Sequence, residues 1–199
     1  MRKVSFSVTS WPTKAPFRIT GYTFTEARVL TATITENNST GRGEATGVYY
    51  LDETADSLLA QAETVKQALE QGANREQLLV LLPAGGARNA IDCALWDLEA
   101  KQSGKSIWAL TGIQPGETIT VNTVGVDTPE VMAATATSFD TKKIKVKLDG
   151  EKPLECITAV CNARPDAEIV VDVNQGWTFE QLVALAPRFK ALGVAMIEQ

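Results

Sequence analysis

From Asn122 onward, polar residues recur at a near-constant interval inside short apolar runs. Asn122 to Lys147 is 25 residues, Lys147 to Asp172 is 25, and Asp172 to Glu198 is 26. That interval is the length of one strand-plus-helix unit, and the segments between read accordingly. TITVNTVGV (118–126), KKIKVKL, EIVVDVN and VAMIEQ have the apolar, β-branched character of strands. TPEVMAATATSF, EKPLECITAVCNA and TFEQLVALAPRFKALG have helical spacing. Thr128 is the expected N-cap of the first helix, Thr178 with Gln181 has the spacing of a capping box, and Pro187 is expected to kink or split the third. Repeated βα units imply parallel strands joined by right-handed crossovers, in either an open doubly wound sheet or a (β/α)8 barrel. No glycine-rich phosphate loop follows the first of these strands, which weighs against a nucleotide-binding sheet.

The first hundred residues follow another plan. RKVSFSVTSW, EARVLTATITE and GRGEATGVYY read as three strands of a small antiparallel sheet, the last with a glycine-marked turn. DETADSLLAQAETVKQALEQG reads as one helix stopped by Gly72, and NREQLLVLLP as a shorter one. GGARNAIDCALWDLEAKQSG is the strongest helix of the chain: Ala90, Ala94, Leu95, Leu98 and Lys101 recur at three and four, and Gly104 closes it. Its small residues invite close approach of another element. The pattern changes near Gly112. The expected division is an α+β domain over 1–112 and a βα-repeat domain over 113–199.

The chain has 199 residues, 44% of them apolar, enough for a substantial core. Its net charge of −5 argues against nucleic acid or an anionic membrane as partner and favours a small molecule. MRKVSFSV is not followed by the apolar run of a signal peptide or membrane span, so the expected location is the cytoplasm. Cys93, Cys156 and Cys161 lack metal-finger spacing and are expected to be buried thiols. Histidine is absent, so acid–base or metal chemistry here falls to carboxylates, lysines, tyrosines or thiols.

Alternation along a strand puts Lys145 and Lys147 on one face and Ile144, Val146 and Leu148 on the other. The same rule pairs Asp172 with Asn174, and Glu198 with Met196. A Lys-x-Lys on a strand is ordinarily an exposed face, and a lone carboxylate at a strand end is ordinarily a cap or an ion-pair partner. The conjunction on three successive strands at constant period favours chemistry, because (β/α)8 active sites are assembled at the C-terminal ends of strands. Two adjacent lysines need anions close by, and Asp172 and Glu198 can supply them directly or through a hard cation such as Mg2+. Two carboxylates are too few for a complete metal site.

KVKL, VVDVNQGW and MIEQ, preceded by PAGGARNAIDCALWDLEAK, resemble the enolase superfamily in its muconate-lactonizing subgroup. The LPAGGARNAIDCALWDLEAK run and the TEARV strand favour the L-Ala-D/L-Glu (dipeptide) epimerase branch. Muconate cycloisomerases and o-succinylbenzoate synthases share the lysine pair and the metal ligands. The resemblance implies an α/β fold: an N-terminal α+β capping domain, then the first half of a modified (β/α)8 TIM-type barrel. It implies Lys147 as the base on one face of the substrate α-carbon. Lys145 would lie beside it, contacting the substrate carboxylate and lowering the pKa of Lys147 by like-charge proximity. Asp172 and Glu198 would be Mg2+ ligands with Asn174 in support. Thr123 would line the dipeptide pocket, and Arg18, in PFRITGYTF, would meet the side-chain carboxylate of the substrate.

Four βα units are half of such a barrel. The resemblance implies that the third metal ligand, an opposing lysine, an Asp-x-Asp motif for the dipeptide amino group and the rest of the capping domain lie beyond Gln199. The expectation is therefore a Mg2+-dependent dipeptide epimerase represented by part of its chain and inactive without the remainder. The competing expectation is a non-catalytic half-barrel that covers its open edges by forming a homo-oligomer.

Overall fold

Two asparagines, rather than a glycine, turn the chain into its third strand. The computed structural model describes residues 1–198. In it β1 (Lys3–Ile19), β2 (Tyr22–Glu36) and β3 (Ser39–Thr46) form one sheet in that order. β2 and β3 are antiparallel with Glu36 opposite Ser39, so only Asn37 and Asn38 make the turn, at φ 49° and 64°. Left-handed backbone at both positions gives the turn that matches strand twist, and asparagine tolerates it. The glycines expected to mark the turn, Gly41 and Gly43, lie within β3.

Their role appears once the helices are placed. These are α1 (Ala55–Thr64), α2 (Lys66–Glu70), α3 (Arg75–Leu81), α4 (Gly86–Ser103) and α5 (Ile107–Thr111). Ala87, Ala90, Ile91, Ala94, Leu95 and Leu98 form the buried stripe of α4. β3 lies so close to it that a Cβ on Gly41 would stand 2.1 Å from the Ala94 carbonyl oxygen. The small residues of α4 thus receive a strand whose glycines bring no side chain to the contact. Leu30, Ile34, Leu58, Leu69 and Leu78 complete this core. The helix expected over residues 52–72 is interrupted at Val65, where the Thr64 hydroxyl donates to the Gln61 carbonyl at 2.6 Å and competes with the helical ladder. Cys93 is exposed, contrary to expectation, because it falls outside the α4 stripe.

The repeat region forms a separate sheet: β4 (Asn122–Val124), α6 (Pro129–Thr137), β5 (Lys143–Lys147), α7 (Pro153–Ala163), β6 (Glu168–Asp172), α8 (Phe179–Ala191) and β7 (Met196–Glu198). The strands are parallel and lie in sequence order, β4-β5-β6-β7. Val124, Ile144, Val146, Leu148, Ile169, Val171 and Val173 share one core with Met132, Ile157, Val160 and Phe189 from the helices. Sequential order with the helices on one face is barrel topology; a doubly wound sheet reverses its order and carries helices on both faces.

By spatial proximity the chain divides into two compact units. Met1–Pro12 and Glu26–Gly116 make the first, and Thr13–Thr25 with the chain from Glu117 on make the second. The tip of the β1–β2 hairpin thus belongs with the parallel sheet. The Thr20 hydroxyl reaches the carbonyls of Leu148 (3.1 Å) and Val173 (2.9 Å), and the Val126 amide donates to the Arg18 carbonyl at 3.1 Å.

The interval read from the sequence holds for the last three strands only. Lys147 stands beside Asp172, and Asp172 beside Glu198, but Asn122 pairs with Ile144 and so lies three residues short of the level of Lys147. The first unit, Val124 to its neighbour Val146, is 22 residues long. Residues 118–121 precede the paired part of β4, so the strand is shorter than TITVNTVGV. The caps at Thr128 and Thr178 form as expected. α8 is unbroken through Pro187; the missing amide leaves the carbonyl of Val183, a residue on the exposed side, without its helical donor.

One buried arginine closes the first crossover. Arg164, 9% exposed at the end of α7, donates to the carbonyls of Ala136 (2.8 Å), Phe139 (2.9 Å) and Thr141 (2.8 Å), and pairs with Asp166 at 2.9 Å. It ties the last turn of α6 to the loop that follows it. Arg164→Ala is expected to lower the thermal midpoint of the parallel-sheet unit by roughly 5 °C or more, read by circular dichroism.

Candidate active site

The face of the parallel sheet opposite α6–α8 carries the odd-numbered residues of β5. Lys143 is level with Glu168, Lys145 with Val170 and Thr123, and Lys147 with Asp172. Charge is therefore layered along the strands. At the N-terminal end Lys143 pairs with Glu168 at 3.0 Å across a solvent-exposed edge, where an ion pair contributes little. At the C-terminal end the groups converge.

Lys147 Nζ donates to Asp172 Oδ2 at 2.6 Å and to Asn174 Oδ1 at 2.8 Å. Lys145 Nζ reaches the same Asp172 oxygen at 2.8 Å and Glu198 Oε2 at 2.7 Å. One aspartate oxygen thus stands between two ammonium groups, which removes the repulsion that a Lys-x-Lys pair would otherwise impose. The Asp172 side chain is 5% exposed and that of Lys147 11%, so these pairs act in a low-dielectric setting. Burial pushes the Asp172 carboxyl up. The hydrogen bonds from Lys145 and Lys147 and the backbone amide of Asn174 outweigh it and hold the group below the usual carboxylate range. For Lys145 burial works against the charge, but Asp172 and Glu198 prevail and hold it above the ordinary lysine range.

The chain after β6 makes a tight turn that aims Asn174. Asn174 and Gln175 adopt φ 46° and 63°, the Gly176 amide closes on the Val173 carbonyl at 2.8 Å, and the Asn174 amide donates to Asp172 Oδ1 at 2.9 Å. Gly176 is required there, since a Cβ would meet Thr20 Oγ1 at 2.8 Å and Cγ2 at 2.9 Å. Trp177 then bonds the Asp149 carbonyl at 2.8 Å and packs edge-on against Phe189.

The sequence-derived residues fall into two groups. Lys145, Lys147, Asp172, Asn174 and Glu198 come together, with Thr123 beside Lys145 on β4. Arg18 stands apart, in a cavity of about 710 Å³ walled by Tyr22, Asp127, Glu130, Glu151 and Lys152 among others, and by none of the clustered residues. Sequence reasoning missed Thr20. The TG pair marks a two-residue hairpin loop, but a hydroxyl that bonds carbonyls 128 and 153 positions away leaves no local trace.

Asp172 and Glu198 offer oxygen donors that already converge on one positive charge, Lys145 Nζ, and oxygen-only donors suit a hard divalent cation. These two residues fit as part of such a site. Among the described residues no group of three potential ligands is assembled. No helix among them is long and apolar enough to cross a membrane.

Lysines and carboxylates gathered at the C-terminal ends of adjacent parallel strands are the arrangement of a (β/α)-barrel site. Residues 1–112 match the N-terminal domain of the mandelate racemase/muconate lactonizing enzymes, and residues 129–199 match the enolase C-terminal domain-like family. The chain belongs to the mandelate racemase/muconate lactonizing enzyme family of the enolase superfamily. It is 42% identical over 203 residues to the L-Ala-D/L-Glu epimerase of Escherichia coli K12, covering 100% of this chain and 63% of that protein. A solved enolase family member from Agrobacterium tumefaciens, with homology to dipeptide epimerases and bound to sodium and L-Ala-L-Glu, superimposes with a TM-score of 0.96. It is 31% identical, with 100% of this chain and 62% of that one covered. The dipeptide epimerase of Enterococcus faecalis V583, complexed with Mg and L-Leu-L-Tyr, gives a TM-score of 0.90 at 26% identity, covering 99% of this chain and 60% of that one. The chain therefore spans a little under two thirds of the length of these relatives.

Proposed function

We propose that the protein to which this chain belongs epimerises a dipeptide of the L-Ala-D/L-Glu type, by 1,1-proton transfer at the α-carbon of its second residue. The reading rests on Lys147, held at a parallel-strand end by Asp172 and Asn174, in a chain that is 42% identical to an L-Ala-D/L-Glu epimerase. Lys147 Nζ accepts the α-proton. The C–H electron pair passes into the adjacent carboxylate, giving an enediolate, and a proton returned to the opposite face inverts the centre. Building a second negative charge onto a carboxylate is costly, so positive charge must already be in place. Lys145 supplies one such charge on the same face as the base. Asp172 and Glu198 would hold Mg2+, which when bound supplies further positive charge for the enediolate. Thr123, level with Lys145 on β4, is proposed to line the dipeptide pocket, whereas Arg18, in a separate cavity walled by Asp127, Glu130 and Glu151, has no part in this reading.

The test is chiral separation of products after incubating the full-length gene product with L-Ala-L-Glu and Mg2+. L-Ala-D-Glu is expected to accumulate to near parity. Chelation should remove the activity and added Mg2+ restore it. Absence of the D-isomer with Mg2+ present would reject dipeptide epimerisation. Turnover of muconate or of the o-succinylbenzoate precursor instead would assign the site to another branch of the family.

A further inference from the structure

We infer that Asn174 is a positioning residue for the base: its side-chain oxygen fixes the direction in which the Lys147 amine meets the substrate. The inference rests on the reading of Lys147 as base and gives Asn174 a role beyond support of a metal ligand. An amine nitrogen has three directions besides its bond to carbon. At Lys147 two are taken, by Asp172 Oδ2 at 2.6 Å and Asn174 Oδ1 at 2.8 Å, and the third has no partner among the described residues. A neutral amine keeps two N–H bonds and one lone pair. Two fixed acceptors hold the two N–H bonds and leave the lone pair to the third direction. There it takes the α-proton: an N–H bond forms, the C–H bond breaks, and its electron pair enters the enediolate. With Asp172 alone the amine could turn about a single hydrogen bond and present an N–H where the lone pair is needed.

The surroundings show that Asn174 is itself held. Its backbone is left-handed at φ 46°, its amide is tied to Asp172 Oδ1 at 2.9 Å, and the next two residues close the turn on Val173. The Thr20 hydroxyl fastens that same Val173 carbonyl. The amide oxygen therefore approaches Lys147 from a backbone anchored independently of substrate, and one residue orients the base through its side chain and the aspartate through its main chain.

Asn174→Gly keeps the backbone conformation, which glycine adopts freely, and removes the acceptor; Asn174→Asp keeps an oxygen in place. Two readouts separate positioning from folding. In steady-state kinetics on L-Ala-L-Glu, Asn174→Gly is expected to lower kcat about 10- to 100-fold with KM within twofold. In 15N-edited spectra of the lysine side chains, the Lys147 Nζ–H signal, assigned by its loss in Lys147→Arg, is expected to broaden into exchange with water in Asn174→Gly and to persist in Asn174→Asp. A kcat within twofold of wild type in Asn174→Gly, or an unchanged Nζ–H signal, would overturn the inference. Wild-type protein that fails to epimerise the dipeptide would overturn the proposed function instead, while the spectra still report whether Asn174 holds the amine.

Discussion

Gly43→Ala is expected to abolish cooperative folding of the antiparallel-sheet unit. A Cβ at this position would lie 2.1 Å from the Ala90 carbonyl oxygen, 2.6 Å from the Ala94 amide nitrogen and 2.7 Å from Cys93 Cβ. The first two are backbone atoms of the 18-residue helix α4, so no side chain can swing aside. Relief requires β3 and α4 to separate by about 1 Å or more, since non-bonded heavy atoms rest near 3.5 Å. Separation opens the seam between Leu30 and Ile34 on one side and Ile91 and Leu95 on the other, all of them in the core. The cost belongs with the severe overpacking cases, above about 4 kcal/mol, against a total domain stability of about 5–15 kcal/mol. Arg42→Ala, between the two glycines on the outward face, is the control. It keeps the backbone amide that bonds Asp97 at 2.8 Å and should change stability by less than about 0.5 kcal/mol. A Gly43→Ala melting curve within two or three degrees of wild type would show that the two elements can part without loss.

The same contact shows what a sequence can and cannot convey. The small residues of α4 announce a close neighbour, and GRG suggests a turn, yet only the pairing of Glu36 with Ser39 reveals that the turn is Asn37–Asn38 and that the glycines are the neighbour. Local patterns carry local geometry; which strand meets which helix is a long-range matter. In the parallel sheet the alternation of KIKVK and the 25-residue interval place Lys147, Asp172 and Glu198 side by side, because strand period and unit length are both local quantities. Asn122 misses that level because the first unit is three residues shorter than the second, and loop length obeys no hydrophobic period. Asn174 is legible as a polar neighbour of Asp172. Its grip on Lys147 is not, since that depends on two successive left-handed residues and on Thr20 reaching over from the hairpin tip. The family resemblance attached roles to these positions; the structure adds that Lys145 is shared between Asp172 and Glu198.

The second large effect concerns the proposed base. Lys147→Ala removes the amine that Asp172 and Asn174 hold, and no other described residue donates to Asn174 Oδ1. Lys145 cannot take over, because it stands one layer deeper, level with Val170, and is committed to two carboxylates. Loss of a positioned base costs about 10²- to 10⁴-fold. The loss should be one-sided. In the proposed two-sided transfer the other face of the α-carbon is served by a different group, so a substrate whose α-proton lies on that face can still exchange it.

Deuterium wash-in at the Glu α-carbon, followed by NMR for L-Ala-L-Glu and L-Ala-D-Glu separately in deuterated water with Mg2+, is the most direct measurement of this account. The full-length protein is expected to exchange both diastereomers. Its Lys147→Ala variant should exchange one at a rate near wild type and the other at least about 100-fold more slowly. Equal exchange of both by the variant, or an equal loss from both, would contradict the assignment of Lys147 as the base on a single face.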